Sequence, residues 1–202
     1  MEVSDARISS FYGIVFLIIT AFIFYRFIGY NDSDLSAVVS NIDGNKYIVQ
    51  DYNDKKEAAD ILAKIRKNIM ILKSHLENNK DKYPEFKENI NLLSERASDI
   101  RLIENIPDGK YTSYTLNKGE EIALCIRSVN TKDFHDINTI MYVVIHELAH
   151  VACPEIDHTE LFKKIFIFFL KVSIELGIYE HGHYDKNPVE YCGIEITENL
   201  LK

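Results

Sequence analysis

The sequence predicts an α+β fold, helices packed around one small sheet, preceded by one N-terminal transmembrane helix. Three observations carry this. Residues 54–78 repeat apolar positions at three- and four-residue steps, as one face of a helix requires. Residues 110–129 form two Tyr-, Thr- and Ile-rich runs about the turn Asn117-Lys118-Gly119, as a hairpin does. Residues 11–30, FYGIVFLIITAFIFYRFIGY, are apolar with a single charge, Arg26.

Taken in order, residues 1–10 form a short tail. As a helix, residues 11–30 would be about 30 Å long, the thickness of a bilayer core. Arg26 lies near one end, where its stem can snorkel, and Tyr12, Tyr25 and Tyr30 sit at interfacial depths. The preceding MEVSDARISS lacks the basic character of a signal peptide, so an uncleaved anchor in the lipid bilayer is expected. The protein is thus expected to be a single-pass membrane protein, in a host or virion internal membrane. Residues 31–45, punctuated by Asp, Ser and Gly, read as a linker to a domain spanning 46–202.

KYIVQ, 46–50, is a short strand. The helix at 54–78 has Ala58, Ile61, Leu62, Ile65, Ile69, Leu72 and Leu76 on its apolar stripe. Lys55, Lys56, Lys64, Arg66, Lys67 and Lys73 make a solvated face opposite. A weaker helix is expected over 85–101 and a loop over 130–138. Apolar helices follow at 139–152, stopped by Pro154, and at 159–176, stopped by Gly177. VEYCGIEIT, 189–197, alternates as a final strand.

A chain of 202 residues with a formal charge of −8 is not built to grip phosphates. From position 138 onward there are five Lys and Arg against ten Asp and Glu, so this part favours basic peptide segments over nucleic acid as a partner. Cys125, Cys153 and Cys192 are too few and odd in number for a disulfide framework, and read as half-buried thiols in a reducing compartment.

The chemistry concentrates in Ile145-His146-Glu147-Leu148-Ala149-His150, an HExxH pattern. On a helix, the four-residue step stacks both imidazoles on one face, where they can share one ion at about 2.0–2.1 Å. Glu147, one position round, is free to act as general base on a water activated by that ion. Two histidines and a glutamate inside a helix bearing Met141, Val144, Ile145, Leu148 and Val151 are costly to bury unpartnered, and a metal accounts for them. A catalytic zinc takes three protein ligands. His158, arriving after the turn at Pro154, is the preferred third. Glu155, Asp157, Cys153, Glu160, Glu175, His181 and His183 are its rivals.

HELAH followed by HTELF resembles the HExxH zinc metallopeptidases of the WLM and SprT-like group, notably uncharacterised members encoded by large DNA viruses of eukaryotes. The likeness extends to GNKYIVQDYNDKKEAADILAKIR, KYTSYTLNKGEEIALCIRS, YVVIHELAHVACPEIDHTELF and NPVEYCGIEIT, and covers most of residues 44–197. The resemblance implies a minimal zincin-like metallopeptidase domain, with one Zn2+ held by His146, His150 and His158 and Glu147 as the catalytic carboxylate. The partner it implies is a protein or peptide substrate. Tyr184 and Tyr191 are candidate donors to the oxyanion, and the strand at 122–127 is a candidate edge for an extended peptide. A different class of function also fits: a zinc-binding, non-catalytic, membrane-attached structural or assembly protein, such as a virion component.

Overall fold

The computed structural model describes Thr20, residues 35–106 and residues 112–201. Residues 35–202 form one unit with its own core. A five-stranded sheet runs in the order β1-β2-β3-β5-β4, and a separate hairpin pairs β6 with β7.

β1 (Leu35–Val39) and β2 (Lys46–Gln50) are antiparallel. Their turn is pinned where Ser40 Oγ donates to Asp60 Oδ1 at 2.6 Å. The segment expected as a linker, 31–45, therefore carries a strand of the domain. Its LSAVV run is too short to reveal a strand by itself, and pairing with β2 supplies the missing stabilisation.

α1 (Lys55–Asn79) follows the predicted stripe closely, burying Ala58, Leu62, Ile65, Ile69, Leu72 and Leu76. Its basic face is less uniformly solvated than expected. Arg66 Nη2 donates to the Ile100 carbonyl at 2.7 Å, and Arg66 Nε to Tyr47 Oη at 3.1 Å. The second helix is shorter than predicted: α2 (Lys87–Arg96) ends before β3 (Arg101–Glu104), which lies parallel to both β2 and β5.

β4 (Tyr114–Leu116) and β5 (Glu121–Leu124) form the predicted hairpin. β5 is buried between β3 and β4, so the free edge on this side belongs to β4. The expectation of an edge at 122–127 is corrected accordingly. A buried strand with neighbours on both sides reads as a continuous apolar run, and IALCI does so.

α3 (Ile137–Ala152) starts where Asp136 Oδ2 accepts from the backbone N–H groups of Asn138 and Thr139, at 2.8 and 3.2 Å. α4 (Glu160–Glu175) starts at Thr159, whose Oγ1 accepts from the Phe162 N–H at 3.3 Å. Gly177, at φ +67°, closes it in the left-handed conformation that costs glycine little. The predicted final strand is two strands, β6 (Val189–Tyr191) and β7 (Ile194–Ile196), turned at Cys192 and Gly193.

Cys125 and Cys192 form a disulfide, with Cα atoms 6.1 Å apart, while Cys153 is free and buried. This overturns the expectation of three thiols. Tertiary folding brings two cysteines 67 residues apart into contact, and no local pattern announces it.

The expected localisation also needs correction. No helix among the described residues is long and apolar enough to cross a membrane. The strongly apolar α4 has 16 residues interrupted by Lys163, Lys164 and Lys171 and reaches about 24 Å, short of a bilayer core. Placement as a single-pass protein of a host or virion membrane does not stand. The run at 11–30 that prompted it lies, Thr20 apart, outside the described residues.

Candidate metal centre

α3 brings His146 and His150 one turn apart on the face that looks across the cleft, and the loop after Pro154 returns His158 to them. The three Nε2 atoms form a triangle: His146 to His150 at 3.2 Å, His150 to His158 at 3.3 Å, His158 to His146 at 3.0 Å. Tetrahedral zinc with nitrogen at 2.0–2.1 Å separates its ligand atoms by about 3.3 Å, so the donor set fits the ion. Three imidazole nitrogens converging this closely repel through either their hydrogens or their lone pairs. A cation at the centre turns the lone pairs into ligands. Among the described residues, these three are the one group of His, Cys, Asp or Glu side chains so arranged. The rivals for third ligand do not join it.

The surroundings favour neutral, metal-ready imidazoles. Burial, then the neighbouring His150 and His158, pushes His146 down to about 3. His150 falls to about 4 through burial, His158 and the Lys118 charge, against an opposing pull from Asp157. Phe162 forms the floor: its ring centroid lies 4.1 Å from that of His150 and 4.9 Å from those of His146 and His158. Phe162 follows His158 by four residues, and that step on an apolar helix was its only signal in the sequence.

Glu147 is buried at 6 % exposure, and burial pushes its carboxyl up to about 7. Thr115 on β4 donates to Glu147 Oε2 at 2.7 Å, which works against that rise. Thr115 was not expected from the sequence, because the contact joins a strand to a helix 32 residues away.

Glu147 and the histidines line a cleft of about 1290 Å³ whose walls include β4, Val143, Ile156, Tyr191 and Ile194. Of the two candidate tyrosines, Tyr191 lies on this wall, its hydroxyl 2.7 Å from Ser113 Oγ. Tyr184 does not line the cleft; it packs edge-on against Tyr142, with ring centroids 5.0 Å apart. Gly182 makes room for it, since a Cβ there would stand 2.3 Å from the Tyr184 ring. His181 accompanies it in the same segment, 2.9 Å from Asn199 Oδ1 and apart from the triangle.

The chain is similar to several known proteins. The uncharacterised protein R325 of Acanthamoeba polyphaga mimivirus is 55 % identical over 170 residues, covering 84 % of this chain and 86 % of that one. Uncharacterised protein 042R of Invertebrate iridescent virus 3 is 41 % identical over 102 residues, half of this chain and 62 % of that one. Among solved structures, Wss1 from Saccharomyces cerevisiae matches with a TM-score of 0.43 at 17 % identity, covering 64 % of this chain and 88 % of that one. The WLM domain model matches residues 41–165, which contain the whole histidine triangle, and the chain belongs to that family, one of metallopeptidase type.

Proposed function

We propose that the chain is a zinc-dependent peptidase that hydrolyses peptide bonds, binding one zinc ion through His146, His150 and His158. The observation that carries this reading is the Nε2 triangle with sides of 3.0–3.3 Å beside a buried carboxylate. Zinc bound there supplies a Lewis acid for the scissile carbonyl and lowers the pKa of the attacking water.

The remaining work falls to the chain's own side chains. Glu147 takes the proton of the attacking water and passes it to the leaving amine. Its raised proton affinity suits both halves of that task, and the Thr115 hydroxyl holds one of its oxygens at the wall of the cleft. An extended substrate pairs with the outer edge of β4, whose inner edge is bonded to β5. Tyr191, on the cleft wall, donates to the oxyanion by moving its hydroxyl from Ser113.

The test compares wild type with Glu147→Gln and His150→Ala on an unfolded protein substrate. Glu147→Gln is expected to keep about one zinc per chain and lose activity by roughly 10²- to 10⁴-fold, as removal of a general base does. His150→Ala is expected to lose the zinc. Equal cleavage by wild type and Glu147→Gln removes the proposed base. Zinc retained by a wild type that cleaves no substrate favours the non-catalytic reading.

A further inference from the structure

The three imidazoles are held in different ways. His146 and His150 are fixed by the helix that carries them. His158 depends on the course of residues 153–157, and of these Pro154, Glu155, Ile156 and Asp157 are exposed, Ile156 at 77 %. Asp157 sits at φ +66°, a conformation that costs a non-glycine residue energy. Phe162 packs against the His158 ring, but the exposed residues 154–157 offer no packing of their own that fixes the course of the segment.

The β4–β5 turn fixes it. Lys118 Nζ donates to the Cys153 carbonyl at 2.9 Å and to the Glu155 carbonyl at 2.6 Å. One ammonium group thus joins the last residue before the loop to its middle. The turn itself is seated firmly. Asn117, Lys118 and Gly119 are all at positive φ, 49°, 57° and 124°. A Cβ on Gly119 would lie 3.0 Å from both the Arg96 carbonyl oxygen and Val151 Cγ1. Arg96 in turn donates from Nη1 to the Val151 carbonyl at 2.7 Å, and Asn89 Nδ2 to that of Ala152 at 3.1 Å. Two consecutive non-glycine residues in the left-handed region persist only where surroundings over-determine them, and here they aim a lysine at the end of α3.

We propose that Lys118 is a positioning residue for the metal: by clamping the Cys153 and Glu155 carbonyls it holds His158 at bonding distance from the ion. This rests on the reading of the triangle as a zinc site. The clamp also opposes electrostatics. A cation beside a dication site weakens metal binding through space, and Lys118 does depress His150. Removing the charge alone would therefore tighten zinc binding, whereas removing the clamp loosens it. The two effects have opposite signs.

The experiment measures zinc affinity by chelator competition on the full chain for wild type, Lys118→Met, Lys118→Arg and His158→Ala. The thermal midpoint of each metal-free form is recorded alongside. Lys118→Met is expected to bind zinc about 10- to 100-fold more weakly, the range for loss of an outer-shell support, with the metal-free midpoint little changed. Lys118→Arg, which keeps charge and donors, recovers most of the loss. In a His158→Ala background, Lys118→Met produces no further loss, because the residue it positions is gone. Zinc affinity that is unchanged or tighter in Lys118→Met overturns the inference. So does a loss that persists in the His158→Ala background, or one matched by collapse of the metal-free fold. A wild type that binds no zinc overturns the zinc reading itself.

Discussion

Residues that meet across the fold do much of the work here, and Arg127 is the clearest case. It is 3 % exposed and donates from Nε to Glu104 Oε1 at 2.8 Å and from Nη1 to Asp54 Oδ2 at 2.7 Å, with its guanidinium 4.0 Å over the Phe134 ring. Glu104 is fully buried and also accepts from the Gln50 N–H at 2.7 Å. Burial pushes the Glu104 carboxyl up, and the Gln50 and Arg127 bonds oppose it. Asp54, a predicted helix start, spends its carboxylate on Arg127 and makes no side-chain cap bond. Arg127→Met is expected to cost about 3–5 kcal/mol, because it strands a buried carboxylate. The double variant with Glu104→Gln should recover part of that. Urea denaturation of the two variants checks both values, and a double variant no more stable than the single one would sink this account.

At the scale of elements, α3 and α4 meet through the metal centre. Phe162, 1 % exposed, touches all three imidazoles from the first turn of α4. Phe162→Ala is expected to destabilise the metal-free chain by about 3–5 kcal/mol and to weaken zinc binding, with Phe162→Leu milder on both counts. Chemical denaturation and chelator competition measure the two effects. A Phe162→Ala chain with native zinc affinity would show that the ring is filler. Long periodic elements were legible beforehand: α1, α3 and α4 fall within two residues of their predicted limits. Short strands were legible only in part: β2 was read at 46–50 and β4 with β5 as a hairpin, whereas β1 and β3 were not. β1 lies in a stretch punctuated by Asp, Ser and Gly, and β3 directly follows a helical pattern, so the identity of both comes from neighbours in the sheet. The β6–β7 hairpin was read as one strand because alternation continues through Cys192 and Gly193.

For the whole molecule, the metal-free domain should be acid-sensitive in a defined direction. Folded His146 and His150 titrate at about 3 and 4, whereas unfolded histidine titrates at 6.5. As pH falls through 6.5 the unfolded chain takes up protons that the folded chain refuses, and stability drops. Glu147 acts oppositely: its folded value of about 7 against 4.5 unfolded gives stability on the acid side that is lost as pH rises through that window. Two histidines outweigh one glutamate between 4.5 and 6.5, so the thermal midpoint of the chelator-treated chain should fall from pH 7.5 to pH 5. Glu147→Gln should steepen the fall. A midpoint that rises on acidification contradicts this reading.

The sequence by itself determined the helices, the hairpin of β4 and β5, and the HExxH pair, because each depends on contacts within a few residues that periodicity encodes. It also placed Glu147 beside the histidines, since a one-residue step on a helix fixes direction. The tertiary structure alone decided which strand is the free edge, and that Cys125 meets Cys192. It alone placed Thr115 and Lys118 against α3 and its following loop. The side-chain pairings among these join residues 32 to 67 positions apart. They form only when burial of a shared core brings distant segments together, and a local pattern carries no trace of which partner that burial will choose.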